Sequence, residues 1–146
     1  MLIKRIENLA QSILSELNIK SAPVDIKTIA KKKGATIKPY ELGENISGML
    51  FIKDGEGIIS YNPTESMVRQ RFTIAHELGH LLLHKKTQDV FVDKQFQVHF
   101  RDENSATGQD VQELQANAFA AAILMPKDLL LTEIKKHNFD LGDESA

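Results

Sequence analysis

The stretch Ile74 to His84 reads IAHELGHLLLH, and within it His76, Glu77, Leu78, Gly79 and His80 form an HExxH pattern. On a helix, residues four apart share a face, with their Cβ atoms about 5 to 6 Å apart. His76 and His80 can therefore aim two imidazoles at one ion. Glu77, one residue round, reaches a water on that ion without ligating the ion itself. Neutral nitrogen ligands, an open position and a carboxylate base are what metal-assisted hydrolysis requires.

So short a pattern also arises by chance, and its context decides the reading. Asn62, Pro63, Thr64 and Glu65 offer an N-cap, a proline at the first helical position and a capping-box carboxylate, while Lys85 and Lys86 suit a C-terminus. The spacing predicts one helix between these ends. Phe72, Ala75, Gly79 and Leu82 form one apolar stripe and Ile74, Leu78 and Leu81 a second, which makes the helix central and largely buried. Two histidines and a glutamate buried there without partners would be costly, whereas metal coordination satisfies them. Gly79, at about 1 kcal/mol relative to alanine inside a helix, marks close approach by another segment.

A chain of 146 residues fits one domain with a real core. With 18 basic and 20 acidic residues its charge is nearly balanced, so bulk electrostatics favours neither nucleic acid nor anionic lipid. The absence of cysteine leaves His, Asp and Glu as the metal ligands. Lys4, Arg5 and Glu7 interrupt the N-terminal apolar residues, so a signal peptide is not expected, and no apolar run has the length of a membrane span. A cytoplasmic protein is the expectation.

Outward from the central stretch, helical spacing predicts a first helix from about Leu2 to Asn18 and a shorter one opened by Pro23 and Asp25 and closed by Lys31 to Gly34. This pair has the look of an incipient helix-turn-helix, but strand residues follow where a recognition helix is needed, so direct DNA binding is not expected. Strands are predicted over 35–42, 47–52 and 57–61, with Asp54-Gly55 joining the last two as a hairpin. Thr87 to Asp110 reads as a long irregular segment with an extended piece from Phe96 to Phe100. Helices follow over 111–124 and 127–137, before a tail, 138–146, expected to fray. The predicted class is α+β: a small three-stranded antiparallel sheet packed on the HExxH helix, with helices before and after it, all within one domain over 1–137. A strand edge beside the metal offers a place for an extended peptide to pair.

Two imidazoles leave a catalytic zinc site one protein ligand short. His84 lies about 12 Å along the axis from His76, too far to share its ion. An extended HExxHxxGxxH arrangement is excluded by Leu83 and Lys86. Glu113 is the best candidate: it shares a face with Ala116, Asn117 and Ala120, and the two alanines permit close approach opposite Gly79. A solvated carboxylate is its competing reading, and His99, Asp102, Glu103 and His137 are weaker alternatives. Asn117, one turn on, is placed to orient a ligand.

RFTIAHELGHLLLH, Arg71 to His84, followed by ELQANAFAAAILMP, Glu113 to Pro126, resembles the ImmA/IrrE family of metallopeptidases, whose pattern joins an HExxH helix to an ExxANxFAxxLLMP helix. PVD at Pro23, GIISYN at Gly57 and FRDENS at Phe100 extend the likeness over most of the chain. The resemblance implies a zincin-like fold, Zn2+ held by His76, His80 and Glu113, and Glu77 as general base. It also implies a protein substrate, a helix-turn-helix transcriptional repressor of the kind encoded beside such enzymes in phages, mobile elements or stress-response loci. Some relatives carry an attached DNA-binding or regulatory domain, and none is expected here. On this expectation His99, Tyr61 and Arg101 are the candidate donors to the reacting carbonyl, Asn117 and His84 support ligands, and Arg71 forms a structural ion pair. The alternative is a zincin-like scaffold that sequesters a repressor or antitoxin without cutting it.

Overall fold

The computed structural model describes residues 2–41, 43, 45–94 and 108–126. Helix α1, Leu2–Glu16, buries Ile6, Ala10, Ile13 and Leu14 along one face. It ends where Asn18 adopts a left-handed φ of 62°, a region asparagine enters more readily than most residues. Asp25 caps helix α2, Ile26–Lys32, by accepting from the Thr28 amide at 3.2 Å and the Thr28 hydroxyl at 2.8 Å. The next element is a strand, so no recognition helix follows α2.

Strands β1 (Ala35–Pro39), β2 (Ile46–Lys53), β3 (Glu56–Tyr61) and β4 (Val90–Lys94) form one sheet in the order β1-β3-β2-β4. The predicted α+β class stands, but the three-stranded antiparallel sheet needs two corrections. Asp54 and Gly55, at φ 54° and 81°, make the tight hairpin that returns β2 as β3. After this second reversal β3 lies parallel to β1 and between β1 and β2. The fourth strand, antiparallel to β2, comes from the segment read as irregular. Its Val90, Phe91 and Val92 alternate exposed, buried, exposed, a pattern too short to stand out from its polar surroundings.

Helix α3, Met67–His84, starts one turn later than the Asn62 cap suggested. Ser66 is the N-cap, its hydroxyl accepting from the Arg69 amide at 3.1 Å. Asn62 instead folds its carbonyl oxygen onto the Thr64 amide and hydroxyl, at 3.1 and 2.7 Å, and donates to the Gly43 and Ile46 carbonyls. This Asx turn fastens the end of β3 to the approach to β2. Arg71, expected to form a structural ion pair, donates to the Val24 carbonyl at 2.8 Å, and among the described residues no ion pair joins it.

Ile74, Ala75, Leu78 and Leu81 bury α3 between the sheet and helix α4, Gly108–Leu124, and α1 lies against α4. A Cβ on Gly79 would stand 3.2 Å from Phe119 Cβ and 3.3 Å from the Ala116 Cα. The helices meet at the glycine, as the small residues Ala116 and Ala120 suggested. Among the described residues no helix is long and apolar enough to cross a membrane. The expected extended piece at Phe96 to Phe100, the helix over 127–137 and the tail over 138–146 lie outside the described residues.

Candidate metal centre

Helical spacing on α3 puts His76 and His80 side by side, and the tight α3–α4 packing brings Glu113 over them. The two Nε2 atoms stand 3.1 Å apart. Glu113 reaches both, with Oε2 2.8 Å from His76 Nε2 and Oε1 3.2 Å from His80 Nε2. A fourth group, unforeseen in the sequence, completes the cluster: Asp93 Oδ1, on β4, lies 3.1 Å from His76 Nε2. One donor atom from each of the four residues falls within 4.8 Å of all the others, which makes this a metal-binding group.

The separations suit a small tetrahedral cation, because donors about 2.0 to 2.1 Å from a zinc ion stand about 3.3 Å from one another. Charge argues the same way. Glu77 and His80 are wholly buried, His76 is nearly so, and among the described residues both oxygens of Glu77 and Asp93 Oδ2 lack a hydrogen-bond partner. Three carboxylates converging on a buried pocket are an expensive arrangement that a dication offsets. The residues therefore fit a divalent metal held by nitrogen and oxygen.

The outer nitrogens of the imidazoles are also engaged. His76 Nδ1 lies 2.8 Å from Asn117 Oδ1, which accepts its proton, so Nε2 is the nitrogen that faces the cluster. His80 Nδ1 is 3.0 Å from His84 Nδ1, and Phe91 stacks on the His80 ring at 4.3 Å between centroids. His84 thus stands behind His80 and outside the cluster, as the eight-residue spacing required. Tyr61 is buried and its hydroxyl accepts a hydrogen bond from Lys27 Nζ at 3.1 Å, which engages it with α2. His99, Arg101, Asp102, Glu103 and His137 lie outside the described residues.

Burial, reinforced by the Asp93 and Glu113 carboxylates, pushes the Glu77 carboxyl well above the usual glutamate range. Burial pulls the Glu113 carboxyl up too, but hydrogen bonds to His76 and His80 outweigh it and hold that group below its ordinary value. For His76, burial disfavours the charged ring, yet hydrogen bonds to Asp93 and Glu113 prevail and carry its pKa from 6.5 up to about 9. The metal-free protein therefore keeps a proton on His76 that the unfolded chain loses. That contribution to stability is complete below pH 6.5 and disappears as the pH rises through about 9. The urea midpoint of the metal-free protein is expected to fall across this window, and a rise there would contradict the assigned contacts. Because a metal must displace that proton, metal affinity should climb over the same range.

Gly48 on β2 is a second site residue that the sequence did not single out. A Cβ there would overlap the Thr73 Cγ2 methyl, and it would stand 3.1 Å from the Ser60 carbonyl and 3.3 Å from Glu77 Oε2. Thr73 is β-branched and on a helix, so its rotamer yields little. Gly48→Ala should cost about 1 to 3 kcal/mol of stability, as overpacking does, and should displace the Glu77 carboxylate. An unchanged urea midpoint would show that the strand accommodates the methyl.

With this geometry in view, comparison with known proteins places the chain. Residues 30–143 match the Peptidase_M78 family, the IrrE N-terminal-like domain, and the chain belongs to that family. It is also similar to a protein of Bacillus phage phi105 named "Uncharacterized immunity region protein 2", with 28% identity over 105 residues. That match takes in 72% of this chain and 60% of the phage protein, so this chain aligns with under two thirds of that relative's length.

Proposed function

We propose that the protein is a metal-dependent endopeptidase in which His76, His80 and Glu113 hold the ion and Glu77 is the general base. The observation that carries this reading is the convergence of four donor atoms, within 4.8 Å, beside a wholly buried glutamate one residue from a ligand. Two imidazoles and carboxylate oxygens at tetrahedral separations favour Zn2+ over Mg2+ or Ca2+, which prefer oxygen ligands. Bound there, the ion supplies polarisation of the scissile carbonyl and acidification of a water.

The protein's own residues do the rest. Asn117 holds the His76 ring by its Nδ1 proton and so keeps Nε2 free to bind. Glu77, pushed toward protonation by Asp93 and Glu113, becomes an effective base once a dication offsets those neighbours. One of its carboxylate oxygens accepts the proton of the attacking water and then delivers it to the leaving amine nitrogen. Asp93 adds a carboxylate to the cluster, its Oδ1 3.1 Å from His76 Nε2. It sits on β4, the strand that ends the sheet on the side of the site among the described residues, where an extended peptide can be held by main-chain pairing.

The substrate we infer is a protein, specifically a helix-turn-helix repressor in the cytoplasm. The similarity to a phage protein named for an immunity region supports this reading. Incubation with Zn2+ and a helix-turn-helix repressor is expected to yield two fragments by mass spectrometry. An intact repressor held in a stable complex would instead identify a sequestering scaffold.

A further inference from the structure

His80 is served by a longer chain of contacts than His76. Behind its Nδ1, at 3.0 Å, stands His84 Nδ1, and His84 Nε2 in turn lies 2.6 Å from Gln115 Oε1 on α4. Two ring nitrogens facing each other at that distance share one proton, so one donates and the other accepts. The amide oxygen of Gln115 only accepts, which fixes the direction of the chain. His84 Nε2–H donates to Gln115, His84 Nδ1 is left as a lone pair, and His80 Nδ1–H donates to it. Nε2, the atom 3.2 Å from Glu113 and 3.1 Å from His76 Nε2, is then the His80 nitrogen left to face the cluster, and its lone pair is the one available to an ion that takes the place of its contact with Glu113.

A side chain chosen only to fill space would not need this arrangement. His84 is 5% exposed, and a buried imidazole without two hydrogen-bond partners is costly. Both of its nitrogens are engaged, Nδ1 with His80 and Nε2 with Gln115, so it links α4 to the ring that faces the cluster. Reversing the Gln115 amide would turn each bond round and place a proton on His80 Nε2, the tautomer that cannot bind a metal.

We propose that His84 and Gln115 are positioning residues: a two-bond relay from the Gln115 amide oxygen through His84 holds His80 in the tautomer that presents its Nε2 lone pair to the site. The inference rests on His80 being a metal ligand. It assigns α4 a second task beyond supplying Glu113, which meets the Nε2 side of the His80 ring: that of setting the proton on the opposite, Nδ1 side.

The test uses the full chain with 15N-labelled imidazoles, metal-free and at alkaline pH, and reads the His80 tautomer from long-range 1H–15N couplings. Zn2+ affinity is measured in parallel by competition with a chromogenic chelator. The native chain and Gln115→Glu, whose carboxylate also accepts, should both show His80 protonated at Nδ1 and should bind Zn2+ with similar affinity. Gln115→Leu and His84→Phe should shift His80 toward the Nε2–H form and weaken Zn2+ binding by about 10 to 100-fold, the usual cost of losing a partner behind a ligand. Gln115 is only partly buried, so its two variants decide the matter even if His84→Phe fails to fold. A His80 ring still protonated at Nδ1 in Gln115→Leu, with Zn2+ affinity within twofold of native, would overturn the relay. A native chain that binds no Zn2+ would instead overturn the metal centre, whereas the metal-free spectra would still report on the relay.

Discussion

Glu77→Gln is expected to lower peptide cleavage by about 10²- to 10⁴-fold, the range that a positioned base contributes, while leaving metal content and fold intact. The substitution is nearly isosteric, so the packing around this wholly buried side chain is retained. An amide cannot take a proton from water at neutral pH, however, so the step assigned to Glu77 is removed. The exchange also takes away a carboxyl that burial and its acidic neighbours push toward protonation. The variant should therefore be at least as stable as the native chain in the metal-free state. Fragment production by the purified variant, compared with its metal content after dialysis, separates the two effects. Native cleavage rates in a metal-loaded Glu77→Gln protein would remove Glu77 from the mechanism.

Glu113→Ala should act on the other half of the site. Glu113 spans both histidines, at 2.8 and 3.2 Å, and is the one cluster member supplied by α4. Its loss should weaken Zn2+ binding by at least about 100-fold, beyond the 10 to 100-fold that loss of an outer partner costs. Asp93 then becomes the only carboxylate on the pair of imidazoles among the described residues, and it comes from a strand with one paired edge rather than from a packed helix. The side chain of Glu113 is 38% exposed, so the alanine leaves little cavity and the fold should persist. Zn2+ affinity unchanged in this variant would move the third ligand elsewhere.

The parts of this arrangement that the sequence made legible are those with local signatures. Asp25 announced its cap, Asp54-Gly55 its hairpin, and the four-residue spacing of His76 and His80 a shared face. Gly79 with Ala116 and Ala120 revealed a close helix crossing, because only small residues permit one. Glu113 was accessible to the same argument, and the family resemblance strengthened it.

What escaped was whatever depends on partners distant in the chain. Asp93 belongs to a five-residue strand whose inward face, Phe91 and Asp93, alternates correctly, yet a polar residue at a core position looks like a loop unless the histidines beneath it are known. Gly48 gave no sign, since its requirement for a bare Cα is imposed by Thr73 and Glu77 from another element. The parallel pairing of β1 with β3 likewise follows from strand insertion, which no local pattern encodes. Asn62 misled because asparagine serves an Asx turn as well as a helix cap, and only the path of the chain from β3 selects between them.

The central claim is that His76, His80 and Glu113 bind one ion beside Glu77. Crystals of the protein grown with Zn2+, with diffraction collected above and below the zinc absorption edge, test it most directly. One anomalous peak about 2.0 to 2.2 Å from both Nε2 atoms and a Glu113 oxygen is the predicted result. A peak held by other residues, with Glu113 turned to solvent, would contradict it.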